Sequence, residues 1–135
     1  GPGELVWLID FAATREGHTL FDFARLEAEL TTQVVAEKFA GQGLNLHEFL
    51  TVLERLEDNG ANLPGELGEA QQLLAVVRRT ARRCLYDPTD LREFRKALIL
   101  SYLGTLKFSN LDEVPTAPIP KALAYSAAAY LSAID

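Results

Sequence analysis

Apolar residues recur every three or four positions through most of the chain after residue 19, and glycine or proline interrupts this pattern at intervals. This spacing lines apolar side chains along one face of a helix, so each uninterrupted stretch predicts one amphipathic helix. The predicted helices cover about residues 20–39, 46 to an end at Asn59-Gly60, 66–86, 88–107 and 121–134. We therefore expect a mostly α fold in which about five helices pack as an irregular bundle.

One segment favours a strand instead. Leu5-Val6-Trp7-Leu8-Ile9 is a short apolar run of β-favouring residues that Asp10 stops. An apolar run without polar alternation is typical of a strand buried on both faces. The prediction is thus one N-terminal strand followed by the helices.

Several helix starts carry capping residues. Two pairs have the spacing of a capping box, namely Thr19 with Asp22 and Asn45 with Glu48. Asp87 followed by Pro88 is typical of an N-cap with proline at the first helical position, so the fourth helix is predicted to begin there.

The composition fits one domain. The 135 residues are 48% hydrophobic and 24% charged, and a chain of this length can bury enough surface to fold without metals or disulfides. Gly1-Pro2-Gly3 looks like the scar of a cleaved tag, which leaves residues 4–135 as a single helical domain, expected to be a fragment of a larger one. The single cysteine, Cys84, is predicted on an apolar helical face and has no second cysteine to pair with, which favours a cytoplasmic compartment.

Charge and hydropathy exclude two classes of partner. The net charge is −6, with 4 basic and 13 acidic groups in residues 1–69 and 9 basic and 6 acidic groups in residues 70–135. A general nucleic-acid binder would present a broad basic surface, which this balance does not supply. No apolar run approaches the ~20 residues that span a bilayer, so no membrane association is expected.

The segment with the most chemical information follows the predicted strand. Leu8-Ile9-Asp10-Phe11-Ala12 is followed by Gly17-His18 and then by Phe21-Asp22-Phe23-Ala24-Arg25-Leu26-Glu27. This order resembles the metal-binding segment of the protein-kinase-like phosphotransferases. It is most similar to the aminoglycoside phosphotransferase and choline kinase branch, and within it to the bacterial kinase-like domains of ternary-complex-associated proteins.

The resemblance implies a role for each matching residue. Asp10 would hold Mg²⁺ against the phosphates of ATP, since a hard cation prefers carboxylate and phosphate oxygens. Asp22, together with Gly17 and Thr19, would organise and cap the loop that follows. The helices would correspond to part of a kinase-like C-terminal lobe.

Other parts of that family's active site are absent from this sequence. The glycine-rich loop, the nucleotide-binding lysine and the catalytic loop would all precede Leu5. Phosphoryl transfer requires the nucleotide, the metals and the nucleophile to be positioned together. We therefore expect Mg and ATP to bind the intact parent, no cofactor to bind this chain, and no catalysis by the chain alone.

The strand also predicts a partner. No second strand is predicted to satisfy the backbone of Leu5 to Ile9, and in the kinase-like fold its neighbours would come from the missing N-terminal portion of the parent. An unpaired apolar strand can pair with a second copy of itself. We expect a homodimer through residues 4–10.

Four arginines form the clearest surface feature. Arg78, Arg79, Arg82 and Arg83 are predicted on the polar side of the third helix, where they would form a solvated face or bind phosphate or an acidic partner. Glu27, Glu29 and Glu37 of the first helix could pair with some of them inside the chain.

His18 and His47 have no recognisable third metal ligand. The alternative function is a non-enzymatic helical protein-interaction module.

Overall fold

A continuous helical rod opens the part of the chain that the computed structural model describes, which is residues 20–134 apart from 59, 84, 86 and 88. Helix α1 (Leu20–Leu30) runs through a π-helical turn (Thr31–Val35) into α2 (Ala36–Gln42). The later elements are α3 (Leu46–Asp58), α4 (Gly65–Arg82), α5 (Arg92–Thr105), a 3-10 turn (Ser109–Asp112) and α6 (Ile119–Ser132). The mostly α prediction is confirmed, and the predicted Leu5–Ile9 strand lies outside the described residues.

The π-helical turn coincides with two buried threonines. The Thr32 hydroxyl donates to the backbone carbonyl of Ala28 at 2.9 Å and also lies 3.3 Å from that of Glu29. Side-chain hydroxyls that bond preceding carbonyls compete with the regular helical ladder, and π-helical turns often occur near functional groups. Thr31 next to it bonds a side chain of α5, so the irregular turn lies against the interior of the bundle.

The core is formed where the helices cross. Helix α1 packs against α4 and α5, while α6 packs against α5, α3 and the π-helical turn. Phe39 and Phe49 meet edge to face with ring centroids 5.9 Å apart, a favoured aromatic geometry. The face of α6 that packs on its neighbours contains small buried residues, namely Ala124, Ala127 and Ala128.

The second predicted helix start is confirmed in atomic detail. Asn45 Oδ1 accepts the backbone N–H of Glu48 at 3.0 Å, and Glu48 Oε1 accepts the backbone N–H of Asn45 at 3.3 Å. This reciprocal pair is a capping box. Just before it, Gly43 ends α2 in the left-handed region with φ of 65°, where glycine has no Cβ penalty.

The predicted junction between the third and fourth helices is wrong. Helix α4 ends at Arg82 rather than near residue 86, and α5 begins at Arg92 rather than at residue 88. The Asp87 carboxylate accepts the N–H and the hydroxyl of Thr89, at 3.0 and 2.7 Å, and so stabilises a turn instead of a helix. The N–H of Arg92 is bound by Asp90 at 3.1 Å.

None of the described helices combines the length and the hydropathy that a membrane span requires.

Candidate functional site

The residues predicted to serve a metal fall mainly outside the described part of the chain. Asp10, Gly17 and Thr19 lie there, so their roles stay predictions. Asp22 lies in the first turn of α1, where a carboxylate is favoured by the helix dipole. Within the described ranges, no group of three or more His, Cys, Asp or Glu side chains could hold a metal ion.

Arg78 corrects the predicted arginine face, because its side chain is buried in the bundle. Its Nε donates to Glu27 Oε1 at 2.8 Å, and its Nη2 donates to Glu27 Oε2 at 3.3 Å. Glu27 is itself fully buried. The predicted pairing between this helix and the acidic residues of the first helix therefore exists for one arginine, as an internal ion pair.

Tyr102 joins the pair from a third helix. Its hydroxyl donates to Glu27 Oε2 at 2.6 Å and lies 3.0 Å from the Thr31 hydroxyl. Both oxygens of the Glu27 carboxylate are thus hydrogen-bonded. The network joins α1, α4, α5 and the π-helical turn at one point in the interior.

A second carboxylate extends this network toward the surface. Glu57, near the end of α3, accepts Arg78 Nη1 through Oε1 and Arg95 Nη2 through Oε2, each at 3.2 Å. Each carboxylate therefore meets at least one guanidinium, which offsets the cost of removing the charges from water.

The network changes the ionisation of its members. Burial alone would lower the pKa of Arg78, but the Glu27 carboxylate more than compensates and raises it, so the guanidinium stays charged. Burial, with the nearby Glu27 charge, raises the pKa of the Tyr102 hydroxyl well above 10. Tyr102 therefore remains a protonated hydrogen-bond donor at neutral pH.

The other arginines of α4 lie at the surface. Arg79 and Arg83 are exposed, while Arg82 is half-buried. Arg79 and Arg82 line a cleft of about 140 Å³ together with Arg55 of α3, and this cleft also contacts Arg78, Gly60, Asn62 and Gln71. Arg83 does not line this cleft, so the predicted face of four arginines divides into three environments.

A larger groove lies elsewhere on the bundle. It has a volume of about 500 Å³ between the π-helical turn and residues 110–116. Its lining contains one ionisable side chain, Glu37. Charged groups converge at the arginine cleft and the buried network instead.

The profile of the ternary complex associated domain 9 family matches residues 3–107. The chain belongs to this family. The part of this ternary complex associated domain that matches includes the segment around Asp10 and helices α1 to α5, and so every residue of the buried network. No curated protein and no solved structure matches the chain significantly.

Four members of the network in this domain were not predicted from the sequence, namely Thr31, Glu57, Arg95 and Tyr102. A signal for the central pair was present, because Glu27 lies four residues after Phe23 and three before Leu30, on the apolar stripe of its helix. Arg78 likewise lies four residues after Leu74. Opposite charges on two apolar stripes indicate a buried pair, whereas the contacts of Glu57 depend on how α3 and α5 pack.

Proposed function

We propose that this chain is the helical C-terminal-lobe portion of a bacterial, cytoplasmic kinase-like phosphotransferase, which supplies the Mg-nucleotide carboxylate Asp10 and is not catalytic alone. The observation that carries the proposal is the anchoring of α1. This helix begins ten residues after Asp10, and Glu27 fixes it to α4 and α5 through buried ionic contacts.

A rigid helix after the metal carboxylate serves the chemistry of phosphoryl transfer. Such catalysis depends on the positions of the metal and the phosphates, so a loop that holds a carboxylate must be fixed at its end. Asp22, in the first turn of α1, is the residue that the resemblance assigns to organising that loop. The family match runs from residue 3 through α5, which supports treating the Asp10 segment and the helices as one unit.

The test uses the parent protein, in which this chain follows the remaining kinase-like segments. Titration calorimetry should show Mg-ATP binding that Asp10→Asn weakens at least about tenfold, because a carboxylate ligand of the cation is lost. Asp58→Asn, an exposed change at the end of α3, is the matched control and should bind as the wild type does. Equal binding by Asp10→Asn and the wild type would refute the metal role.

The isolated chain gives a second readout. It should bind Mg-ATP with no micromolar affinity, since most contacts to the nucleotide come from groups that it lacks. An ATPase or transferase rate in the isolated chain that Asp10→Asn abolishes would contradict the proposed division of the site.

A protein-interaction module is the second candidate. Leu100 and Leu103 lie one helical turn apart on α5 with 59% and 41% of their surfaces exposed, and Phe108 follows with 54% exposed. Exposed apolar side chains on one surface favour a protein contact, in agreement with a family described as associated with ternary complexes.

The two functions are distinguished by the sequence before Leu5. A glycine-rich loop, a lysine and a His-Gly-Asp segment within about two hundred residues, a typical domain size, support the kinase-like lobe, and their absence supports the module.

A further inference from the structure

Three of the four arginines that line the cleft between α3 and α4 have no carboxylate partner among the described residues. They are Arg55, Arg79 and Arg82, and this cleft of about 140 Å³ also contacts Arg78 of the buried network. The ion pairs among the described residues involve other arginines, such as Arg78 and Arg95 with Glu57. The cleft thus concentrates positive charge in a chain whose net charge is −6.

Unpaired arginines in one cleft repel each other. The repulsion is weak in bulk water and grows as water is excluded from the cleft wall. The neighbouring network shows the alternative arrangement, in which carboxylates neutralise the guanidinium groups. A bound anion would relieve the repulsion in the same way.

The wall of the cleft is held in place by its own hydrogen bonds. Gln71 Oε1 accepts the N–H of Leu63 at 2.8 Å, and Gln71 Nε2 donates to the carbonyls of Gly60 and Ala61 at 3.4 and 3.3 Å. Arg55 Nη1 donates to the Ala61 carbonyl at 3.4 Å. The loop after α3 is therefore fixed against α4.

The arginines that line the cleft have donors without an acceptor among the described residues. The Nε–H of Arg82 is buried and has no acceptor among the described residues. Arg79 forms no hydrogen bond or ion pair within the described ranges, and Arg55 uses one of its five donors. A ligand with several acceptor oxygens could satisfy these groups together.

We propose that this cleft binds the phosphate group of a phosphomonoester. A phosphomonoester carries about −1.5 to −2 charges at pH 7 and presents three strong acceptor oxygens, which match three guanidinium groups better than the single charge of a carboxylate. Arginine forks pair with phosphate oxygens in the plane of the guanidinium. The site is independent of the proposed Mg-nucleotide role of Asp10. The phosphate can be carried by a small metabolite or by a phosphorylated protein side chain.

The first experiment follows the arginine Nε–H signals of the whole chain by NMR during titration with inorganic phosphate at constant ionic strength. We expect saturable shifts of the Arg55, Arg79 and Arg82 signals, and acetate should bind at least about tenfold more weakly because it carries one charge. Shifts that do not saturate, or equal binding of acetate, would overturn the proposal.

Variants then separate the cleft from general positive charge. Arg79→Ala should weaken phosphate binding at least about tenfold, as expected for a lost charge-assisted hydrogen bond. Arg83→Ala is the matched control, since Arg83 is exposed on the same helix, carries the same charge and lies outside the cleft. Equal loss in both variants would indicate non-specific attraction and refute the site. Arg55→Ala, with its fold checked by circular dichroism, should repeat the effect of Arg79→Ala.

Two further titrations identify the source of the phosphate. A sugar phosphate and a phosphoserine peptide are compared, each beside its unphosphorylated form, and binding of either phosphorylated form alone supports the site. Tighter binding of the peptide assigns the site to phosphorylated proteins, and tighter binding of the sugar phosphate assigns it to metabolites. Failure of every phosphorylated probe would overturn the proposal.

Discussion

Glu27 is a charged group in the interior whose two carboxylate oxygens are both hydrogen-bonded. Oε1 accepts Arg78 Nε at 2.8 Å, and Oε2 accepts the Tyr102 hydroxyl at 2.6 Å. Removing both charges from water costs several kcal/mol, which the pairing offsets only when the geometry is good. We therefore expect the pair to specify how α1, α4 and α5 fit together more than it adds stability.

Removing one partner should be costly. Glu27→Ala leaves the Arg78 charge buried without its main partner, and we expect the free energy of unfolding to fall by about 3–5 kcal/mol. Urea denaturation followed by circular dichroism measures this change. Glu29→Ala is the control, because the Glu29 carboxylate is half-exposed and its ion pair with Arg25 is long, with 4.0 Å between Oε1 and Nε. This variant should lower the free energy of unfolding by no more than about 0.5 kcal/mol.

The double variant Glu27→Leu with Arg78→Met tests whether the buried ion pair is itself a source of stability. It removes both buried charges together, so it should be more stable than Glu27→Ala. Equal or smaller stability of the double variant would show that the ion pair itself is a major source of stability.

Tyr102 predicts how stability depends on alkaline pH. Its folded-state pKa is raised well above 10 by burial and by Glu27, so its contribution is complete below pH 10 and is lost as pH rises toward the folded pKa, because the unfolded chain ionises first. Tyr102→Phe should cost about 1–3 kcal/mol at pH 7 by removing hydrogen bonds to a charged network. The stability gap between wild type and Tyr102→Phe should narrow between pH 10 and 11. A constant gap in urea denaturation across this range would contradict the raised pKa.

The spacing of residues within one helix predicts which side chains are buried, but not which side chains of other helices they contact. Glu27 and Arg78 lie on the apolar stripes of their own helices, so local spacing can predict that they are buried. Tyr102 also lies four residues after Leu98. Which of these side chains meet depends on the crossing of helices far apart in sequence, and spacing within one helix carries no such information.

Two helical glycines differ in what surrounds them. A Cβ at Gly68, in α4, would clash with the backbone carbonyl oxygen of Leu63, whereas a Cβ at Gly104, in α5, would have nothing within 4 Å. Gly68 therefore permits the loop before α4 to fold back on the helix. Gly104 has no such role among the described contacts.

Alanine substitutions test this difference between the two helices. Gly68→Ala should destabilise the protein by about 1–3 kcal/mol, since backbone must move to admit the methyl group. Gly104→Ala should instead stabilise it by up to about 1 kcal/mol, because alanine restricts the unfolded chain and favours the helix. Thermal unfolding of both variants measures the contrast. A loss of stability in Gly104→Ala as large as that in Gly68→Ala would refute it.

At the scale of elements, the helices were predictable where local chemistry decides them. The capping box of Asn45 and Glu48 forms as the sequence predicts. The predicted start of α5 is wrong, because Asp87 can act either as an N-cap or as the acceptor in a turn with Thr89. The sequence pattern does not rank these uses, and the structure has the turn.

At the scale of the whole molecule, the described helices bury one continuous core. They supply no strand with which the predicted strand could pair. No strand occurs in residues 20–134 where the structure describes them. The backbone groups of Leu5 to Ile9, if extended as predicted, would therefore need partners from outside this set. We propose that the upstream segment supplies them in the parent, and that a second copy supplies them in the isolated chain.

We accordingly expect the isolated chain to form a two-fold dimer through residues 4–10. Antiparallel pairing of two copies would satisfy the exposed backbone and cover Trp7 and its apolar neighbours at once. Sedimentation equilibrium at micromolar concentration should give twice the chain mass of 14.9 kDa. Val6→Lys should shift the species to the monomer by placing a charge in the apolar run. Leu100→Lys is the control, since Leu100 is an exposed apolar residue of α5 and far from residues 4–10 in sequence, and it should leave the dimer intact. Dissociation by Leu100→Lys but not by Val6→Lys would assign the contact to α5, and a wild-type monomer would require the strand to be covered within its own chain.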